Sequence, residues 1–196
     1  MTFCPDFGEV TQITAGKHVR AVGWLSINHD YTTGNAPGDF VARLREFCAN
    51  YSASEDELGF GMFCGFHTCE FCGDCRGIGN VGVPAGDLLY VAPEMIHHYV
   101  TAHRYLPPAE FVEAVMACPL PGTAEYKRLA HPFREHQAAF ERECFNITVR
   151  TAAKWAFENG GESRIPTAIS CYFISRDAEC ERLVRAEFAA LTNRKG

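Results

Sequence analysis

The segment that decides the fold begins with the run Cys69-Glu70-Phe71-Cys72 and continues, after about twenty residues, into the helix-like segment 93–103. Two cysteines with two residues between them can bind the same tetrahedral metal ion through their thiolates. Two of the three histidines in the second segment have four residues between them, which is a spacing found in zinc fingers. The preferred ligand set around Zn²⁺ is therefore Cys69, Cys72, His98 and His103.

This ligand set requires the helix that carries the two histidines to change its geometry near its end. On an ideal helix the side chains of His98 and His103 diverge, because one turn takes 3.6 residues. We therefore expect the last turn to loosen, and the nearby Pro107 favours such an end. Four protein ligands would form a closed structural site that contributes directly to folding free energy. The reserve ligands are His67, Cys75, His97 and Cys64.

An iron-sulfur cluster is the first alternative for the same cysteines. Cys64, Cys69 and Cys72 have the spacing of the first three ligands in plant-type [2Fe-2S] ferredoxins, and Cys75 could be the fourth. The glycine and phenylalanine residues around this loop also suit a cluster.

A metal-dependent hydrolase is the second alternative. If water replaced one protein ligand, the zinc ion could become hydrolytic, with His29, His67 or Glu70 as the base. His29 and Asp30 are weak catalytic candidates on a polar loop that follows a predicted strand. The ordinary interpretation, a loop histidine hydrogen-bonded to its own turn, is favoured over catalysis.

Around the cysteine cluster, the chain alternates strand and helix patterns. The structures predicted in the first half are a strand over 18–27, a helix over 38–49, an edge strand or tight turn over 59–66, a hairpin joining 78–83 to 88–92, and helices from Pro93 and over 110–117. Pro93 is placed at the first helical position, with Glu94 in the first turn. We therefore predict a small mixed sheet bearing a zinc knuckle, a hairpin and a helix, in a treble-clef-like order.

Beyond residue 122 the sequence becomes mostly helical. The predicted elements are a helix over 123–130, a break at Pro132, a helix over 133–158 ended by Asn159-Gly160-Gly161, and a helix over 178–191. Residues 169–174 fit either a strand or a buried helical turn. The fold class is therefore α+β, with an α+β zinc-binding unit over 1–122 and a helical extension over 123–196 packed on it.

Composition narrows the functional classes. Ten cysteines in 196 residues, without a cleavable apolar segment at the start, favour a reducing, cytoplasmic setting. No apolar run has the roughly 20 residues of a membrane span. The net charge of −6 argues against nucleic acid as a partner. A nucleic-acid reader would need its basic side chains gathered on one face, namely Arg20, Arg43, Arg45, Arg76 and Arg104.

The chain also resembles a family of small uncharacterised bacterial proteins. The resemblance lies in Val22-Gly23-Trp24-Leu25, His29 with Gly34, the run from Gly65 to Cys72, and the more specific segment from Tyr90 to Phe111, and it covers roughly residues 20–126. No activity is established for that family. The resemblance implies that certain residues recur as a set, namely His67, Cys69, Cys72, His98 and His103.

The leading functional prediction is a zinc-stabilised protein-interaction or adaptor module. Its partner is predicted to be a protein or a second copy of the chain, because the long C-terminal helix carries more apolar surface than one small domain can cover.

Overall fold

The computed structural model describes residues 3–54, 56–60, 66–173 and 177–193. The strands are β1 (Val19–Ala21), β2 (His67–Thr68), β3 (Arg76–Gly77), β4 (Asn80–Ala85) and β5 (Leu88–Pro93). The helices are α1 (Gly38–Ala53), α2 (Ile96–Ala102), α3 (Ala109–Ala117), α4 (Ala124–Glu158), α5 (Ile165–Tyr172) and α6 (Ala178–Asn193), with a 3₁₀ turn at Glu162–Arg164. The chain forms two compact units, Met1–Ala138 and Ala139–Gly196. The predicted boundary between residues 122 and 123 stays a prediction.

The first unit is built on a three-stranded sheet in the order β1-β5-β4. The predicted hairpin is confirmed: β4 and β5 pair antiparallel and are joined at Gly86, whose φ of 58° suits glycine. β1 runs parallel to β5, with Val19 opposite Leu89. The central strand β5 is almost wholly buried, as expected for a strand that has neighbours on both edges.

Both faces of this sheet are covered, because successive residues of β4 and β5 are buried. Trp24, Tyr99, Tyr105 and Phe111 are each at most 1 % exposed, and they belong to one continuous apolar cluster. The indole Nε1 of Trp24 donates to the backbone oxygen of Val91 at 2.9 Å, so burial leaves this polar group satisfied. The helices α1 and α3 begin directly after Pro37 and Pro108, residues whose fixed φ favours an abrupt helix start.

Three predicted boundaries differ from the structure. β1 covers only residues 19–21, because the chain leaves the sheet at Gly23, whose φ is 70°. Pro93 ends β5 instead of opening a helix, and α2 begins at Ile96. The predicted break at Pro132 is wrong, since α4 passes through it. Pro132 and Arg128 are both exposed, so water can satisfy the carbonyl that loses its helical donor.

The second unit is helical. Residues 165–172 form α5, so the helical alternative for the stretch that begins at 169 is confirmed over its described part. The stop after Glu158 is also confirmed, with positive φ at Gly160 and Gly161. Val149, Ala152, Ile165 and Val184 belong to a small apolar core of its own.

The mixed composition and the helical C-terminal part are therefore as predicted, whereas the treble-clef arrangement stays a prediction. The expected edge strand or turn over 59–66 falls mostly on residues 61–65, which lie outside the described ranges. Within those ranges, no helix combines the length and the apolar character that crossing a membrane requires.

Candidate metal centre

The two cysteines lie at the tip of the short antiparallel pair β2–β3. His67 pairs with Gly77 and Thr68 with Arg76, so residues 69–75 form the connecting loop. The Cys69 N–H donates to the Cys75 carbonyl at 2.9 Å, which closes this loop at its base. The local sequence thus presents both thiols from one rigid turn.

Backbone hydrogen bonds shape the loop, and one backbone N–H lies near a sulfur. The Gly73 N–H donates to the Cys69 carbonyl at 2.9 Å, and the Asp74 N–H lies 3.5 Å from the Cys72 Sγ. Gly73 has φ of 75°, a conformation that a side chain would oppose. Backbone N–H groups that face sulfur stabilise thiolates, as a metal-binding knuckle requires.

The histidines come from α2 and from its end. His98 lies within the helix, whereas His103 is its C-terminal cap, with φ of −114° and ψ of 9°. Arg104 then adopts a left-handed conformation with φ of 53°, and the N–H groups of His103 and Tyr105 both donate to the Tyr99 carbonyl. The helix therefore ends before His103, in agreement with the loosened last turn that the spacing of the two histidines demands.

The four predicted ligands converge. Cys69 Sγ lies 3.3 Å from His103 Nε2, Cys72 Sγ lies 3.4 Å from His98 Nε2, and the two Nε2 atoms are 3.1 Å apart. All four ligand atoms lie within 4.8 Å of one another, so the group could hold a metal ion. A tetrahedral Zn²⁺ with ordinary Zn–S and Zn–N bonds separates its ligand atoms by about 3.3 to 3.8 Å. These contacts fit zinc, and the donor set does not fix which metal is bound.

Burial shifts the pKa values of two of these groups. It raises the pKa of the Cys69 thiol, and it lowers the pKa of the His98 imidazole, which the neighbouring His103 lowers further. Neutral imidazole is the metal-binding form, whereas the thiol must lose its proton. A cation among the four groups would compensate for this burial, because it stabilises the thiolate directly.

Aromatic packing holds the loop against the helix. The Phe71 ring, between the two cysteines, packs against Tyr99 of α2 and against His103, with centroid distances of 6.1 and 5.1 Å. The Tyr31 ring meets Phe71 edge-on at 5.5 Å, and its hydroxyl donates to the His103 carbonyl at 3.2 Å. The residues between the two cysteines therefore position the site as well as separate its ligands.

Glu70 ties the knuckle to the loop after β1. Its Oε2 accepts from the Ser26 hydroxyl and from the Ile27 N–H, both at 3.0 Å. The Ile27 N–H, and then the Ser26 hydroxyl, hold the pKa of this carboxyl below its usual value. A low pKa and two bound donors make Glu70 a poor general base, contrary to the role considered for it in a hydrolase.

The other candidate residues lie outside this ligand group. His67 is on β2, His97 lies on α2 beside Arg45, and Cys75 is at the base of the loop. His29 and Asp30 are exposed, and the His29 ring stacks on Phe3 at 3.8 Å. Cys64 lies outside the described residues, so the four-cysteine cluster stays a prediction.

The observed distances also bear on a two-iron cluster held by mixed ligands. Such a cluster has its thiolates on one iron and its imidazoles on the other. Two metals and their sulfides would then lie between Cys69 and His103, whose ligand atoms are in fact 3.3 Å apart. The close thiol–imidazole pairs therefore favour a single ion.

Sequence reasoning missed several polar residues of the first unit. Asp6, near the start of the chain, accepts from the Tyr105 hydroxyl at 2.9 Å, a pairing that no local pattern signals. Glu94 was predicted in a first helical turn, but its Oε2 accepts from the Ile78 and Gly79 N–H groups. Asn80 begins the otherwise apolar strand β4 and is buried, and this break in the apolar pattern was the available signal.

Fold and site together define a mixed α-helical and β-sheet protein with a Cys₂His₂ group suited to one metal ion. Residues 2–116 match the model of a family described as a domain of unknown function (DUF7919), and the chain belongs to that family. The matched region contains all four residues of the Cys₂His₂ group. No curated protein and no solved structure matches the chain. The bacterial origin and the detailed motif expected for the family stay predictions.

Proposed function

We propose that Cys69, Cys72, His98 and His103 bind one Zn²⁺ as a structural ion, and that the chain is a protein-interaction module of a reducing, cytoplasmic environment. The observation that supports zinc is the convergence of four ligand atoms within 4.8 Å from two separate elements. Four protein ligands fill a tetrahedral site and leave no open position for substrate or water. The proposed metal is therefore a scaffold, and the hydrolase alternative is disfavoured.

The elements that carry the proposed ligands are short, so a cross-link between them would add stability. β2 and β3 have two residues each, and α2 has seven. A helix of this length is unstable by itself, and two-residue strands contribute little pairing. Zinc binding in small domains supplies about 10 to 16 kcal/mol of apparent free energy at neutral pH, which far exceeds what these contacts provide.

Two exposed apolar residues, one hydrogen-bonded to the knuckle through its backbone and one next to it in sequence, support a protein partner. Ile27 is 60 % exposed and follows Ser26, the residue that Glu70 binds, while Phe66 is 68 % exposed and immediately precedes β2. Large apolar side chains held in water by ordered segments are typical of contact surfaces. The basic residues give less support to nucleic acid, since Arg20 lies near Glu9 and Arg43 pairs with Glu46.

Metal analysis tests the structural ion. We expect the purified chain to contain about one zinc per molecule, and Cys69→Ser to lose most of it, because three ligands bind far more weakly than four. Cys144→Ser, at an exposed position outside the group, should keep the wild-type content. Unchanged zinc in Cys69→Ser, or iron with sulfide in the wild type, would contradict the proposal.

Site-specific photo-crosslinking tests the interaction module. A crosslinking amino acid at position 27 should give one discrete adduct in living cells, with a protein or with a second copy of the chain. The same amino acid at position 129 serves as the control, since Leu129 is 41 % exposed on α4. The interaction proposal fails if position 27 gives no adduct, or if both positions give the same set of adducts.

A further inference from the structure

A cavity of about 420 Å³ lies in the first unit, and none of the four metal ligands is among the described residues that line it. Its walls combine carboxylates, hydroxyls, an amide and apolar side chains. The residues that matter here are Tyr51, Asp56, Phe60, Ile78, Asn80 and Glu94. The volume falls in the range of small-molecule sites, about 300 to 1,000 Å³.

Asn80 is the feature that points to a ligand. It is 4 % exposed, and neither atom of its side-chain amide has a hydrogen-bond partner among the described residues. A buried amide without partners destabilises a fold, and asparagine is also a poor residue for a strand. Valine or leucine would suit the start of β4 better for stability alone. An amide at this cavity wall is explained by a partner that comes from outside the chain.

The Glu94 carboxylate is fixed in place at the same wall. Its Oε2 accepts from the N–H groups of Ile78 and Gly79 at 3.1 and 3.0 Å, and its Oε1 accepts from the Ser52 hydroxyl at 3.1 Å. An ionised carboxylate has about four acceptor positions, so one position stays open. The group is therefore preorganised by the backbone before a ligand arrives.

Charge decides which ligands the cavity favours. Asp56 and Glu94 are both acidic, and the described lining residues include no lysine, arginine or histidine. Asp56 is also held by the backbone, because its Oδ1 accepts from the Gly59 N–H at 2.9 Å. Two fixed carboxylates repel anions and attract cations, most strongly where water is partly excluded.

The apolar part of the wall selects an organic cation over a bare metal ion. Phe60 is buried and Ile78 is half-buried, and both line the cavity beside the Tyr51 ring. Aromatic rings attract ammonium groups and bury hydrocarbon. A hydrated metal ion would gain nothing from these side chains, since hard cations prefer oxygen ligands all round.

We propose that this cavity binds a small organic ammonium ion with an apolar body. The ammonium N–H groups donate to the carboxylates of Glu94 and Asp56 and to the amide oxygen of Asn80. The hydrocarbon lies against Phe60 and Ile78. This site is independent of the zinc proposal and goes beyond it.

Three probes of nearly equal shape test the charge preference. Phenethylamine, 2-phenylethanol and phenylacetate are titrated into the isotope-labelled full chain at neutral pH, and the amide signals of Gly79 and Asn80 are followed by NMR. We expect the cationic amine to bind at least about tenfold more tightly than the alcohol, and phenylacetate not to bind. Equal affinities, tighter binding of phenylacetate, or no response to the amine at millimolar concentration would overturn the proposal.

Two variants locate the binding groups. Asn80→Leu and Glu94→Gln should each weaken amine binding about tenfold or more, and Asn28→Leu, on an exposed turn, should leave it unchanged. Amine affinity that survives both changes would place the ligand elsewhere. If either variant fails to fold, the comparison of the three probes on the wild-type chain decides the matter alone.

Discussion

Asp6 and Tyr105 show at the residue scale how distant positions stabilise the first unit. Tyr105 is fully buried, and its hydroxyl donates to both carboxylate oxygens of Asp6 at 2.9 Å. Asp6 Oδ1 also accepts from the Gly23 N–H at 3.0 Å, at the point where the chain leaves β1. One carboxylate thereby fixes the start of the chain, the end of β1 and the segment after α2.

Tyr105→Phe tests this contact. The change removes only the hydroxyl, and we expect unfolding free energy to fall by about 1.5 to 3 kcal/mol, the usual loss for a hydrogen bond to a charged group. Urea unfolding is followed by Trp24 fluorescence in a Trp155→Phe background. Tyr172→Phe, at a position 40 % exposed, is the control and should change little. A loss below about 0.5 kcal/mol for Tyr105→Phe would show that the contact contributes little.

The group that could hold a metal ion was predictable from sequence, because metal chemistry restricts both residue type and spacing. Cys69 and Cys72 could be paired from their separation alone, and His98 and His103 from the four residues between them, a spacing within the zinc-finger range. Asn80 and Glu94 could not be placed in this way. Their roles depend on a cavity formed by segments that are distant in sequence. A single polar residue has no repeating pattern from which such a cavity could be predicted.

At the element scale, the predictions succeeded where periodicity and turn chemistry agree. The β4–β5 hairpin and α1 have both signals, and the structure contains both. Proline gave the wrong boundary twice, because its effect depends on its surroundings. Pro93 is the last residue of the central strand β5, and pairing with β4 outweighs the preference of proline for a helix start. Pro132 lies on an exposed face of α4, where water can replace the backbone N–H that proline lacks.

The short elements could not be read from local pattern at all. β2 and β3 have two residues each, far below the length at which alternation is visible. Their position follows from the loop that they close, through the bond from the Cys69 N–H to the Cys75 carbonyl. The loop between the cysteines thus holds β2 and β3 together, and the proposed ion would hold this loop in its conformation.

At the scale of the whole molecule, the chain contains two units with separate apolar cores. The core of the first unit includes the buried Cys69 and Tyr99, so the proposed metal binding would be coupled to the packing of this core. The core of the second unit is formed by residues from 149 onward and includes no metal ligand. A structural ion should therefore stabilise the first unit and leave the second unchanged. Ligand binding stabilises the folded state of the unit that contains the binding site.

Removal of zinc tests this selectivity on the full chain. The zinc-loaded protein is treated with a strong chelator, and hydrogen exchange is followed by mass spectrometry. Peptides within residues 66–105 should exchange at least about a hundredfold faster, equal to about 2.8 kcal/mol of opening free energy, while peptides within 149–193 keep their protection. Cys72→Ser, which lacks one ligand, should show the faster exchange before chelation and no further change after it. Equal loss of protection in both regions, or none in 66–105, would mean that the ion does not stabilise the first unit alone.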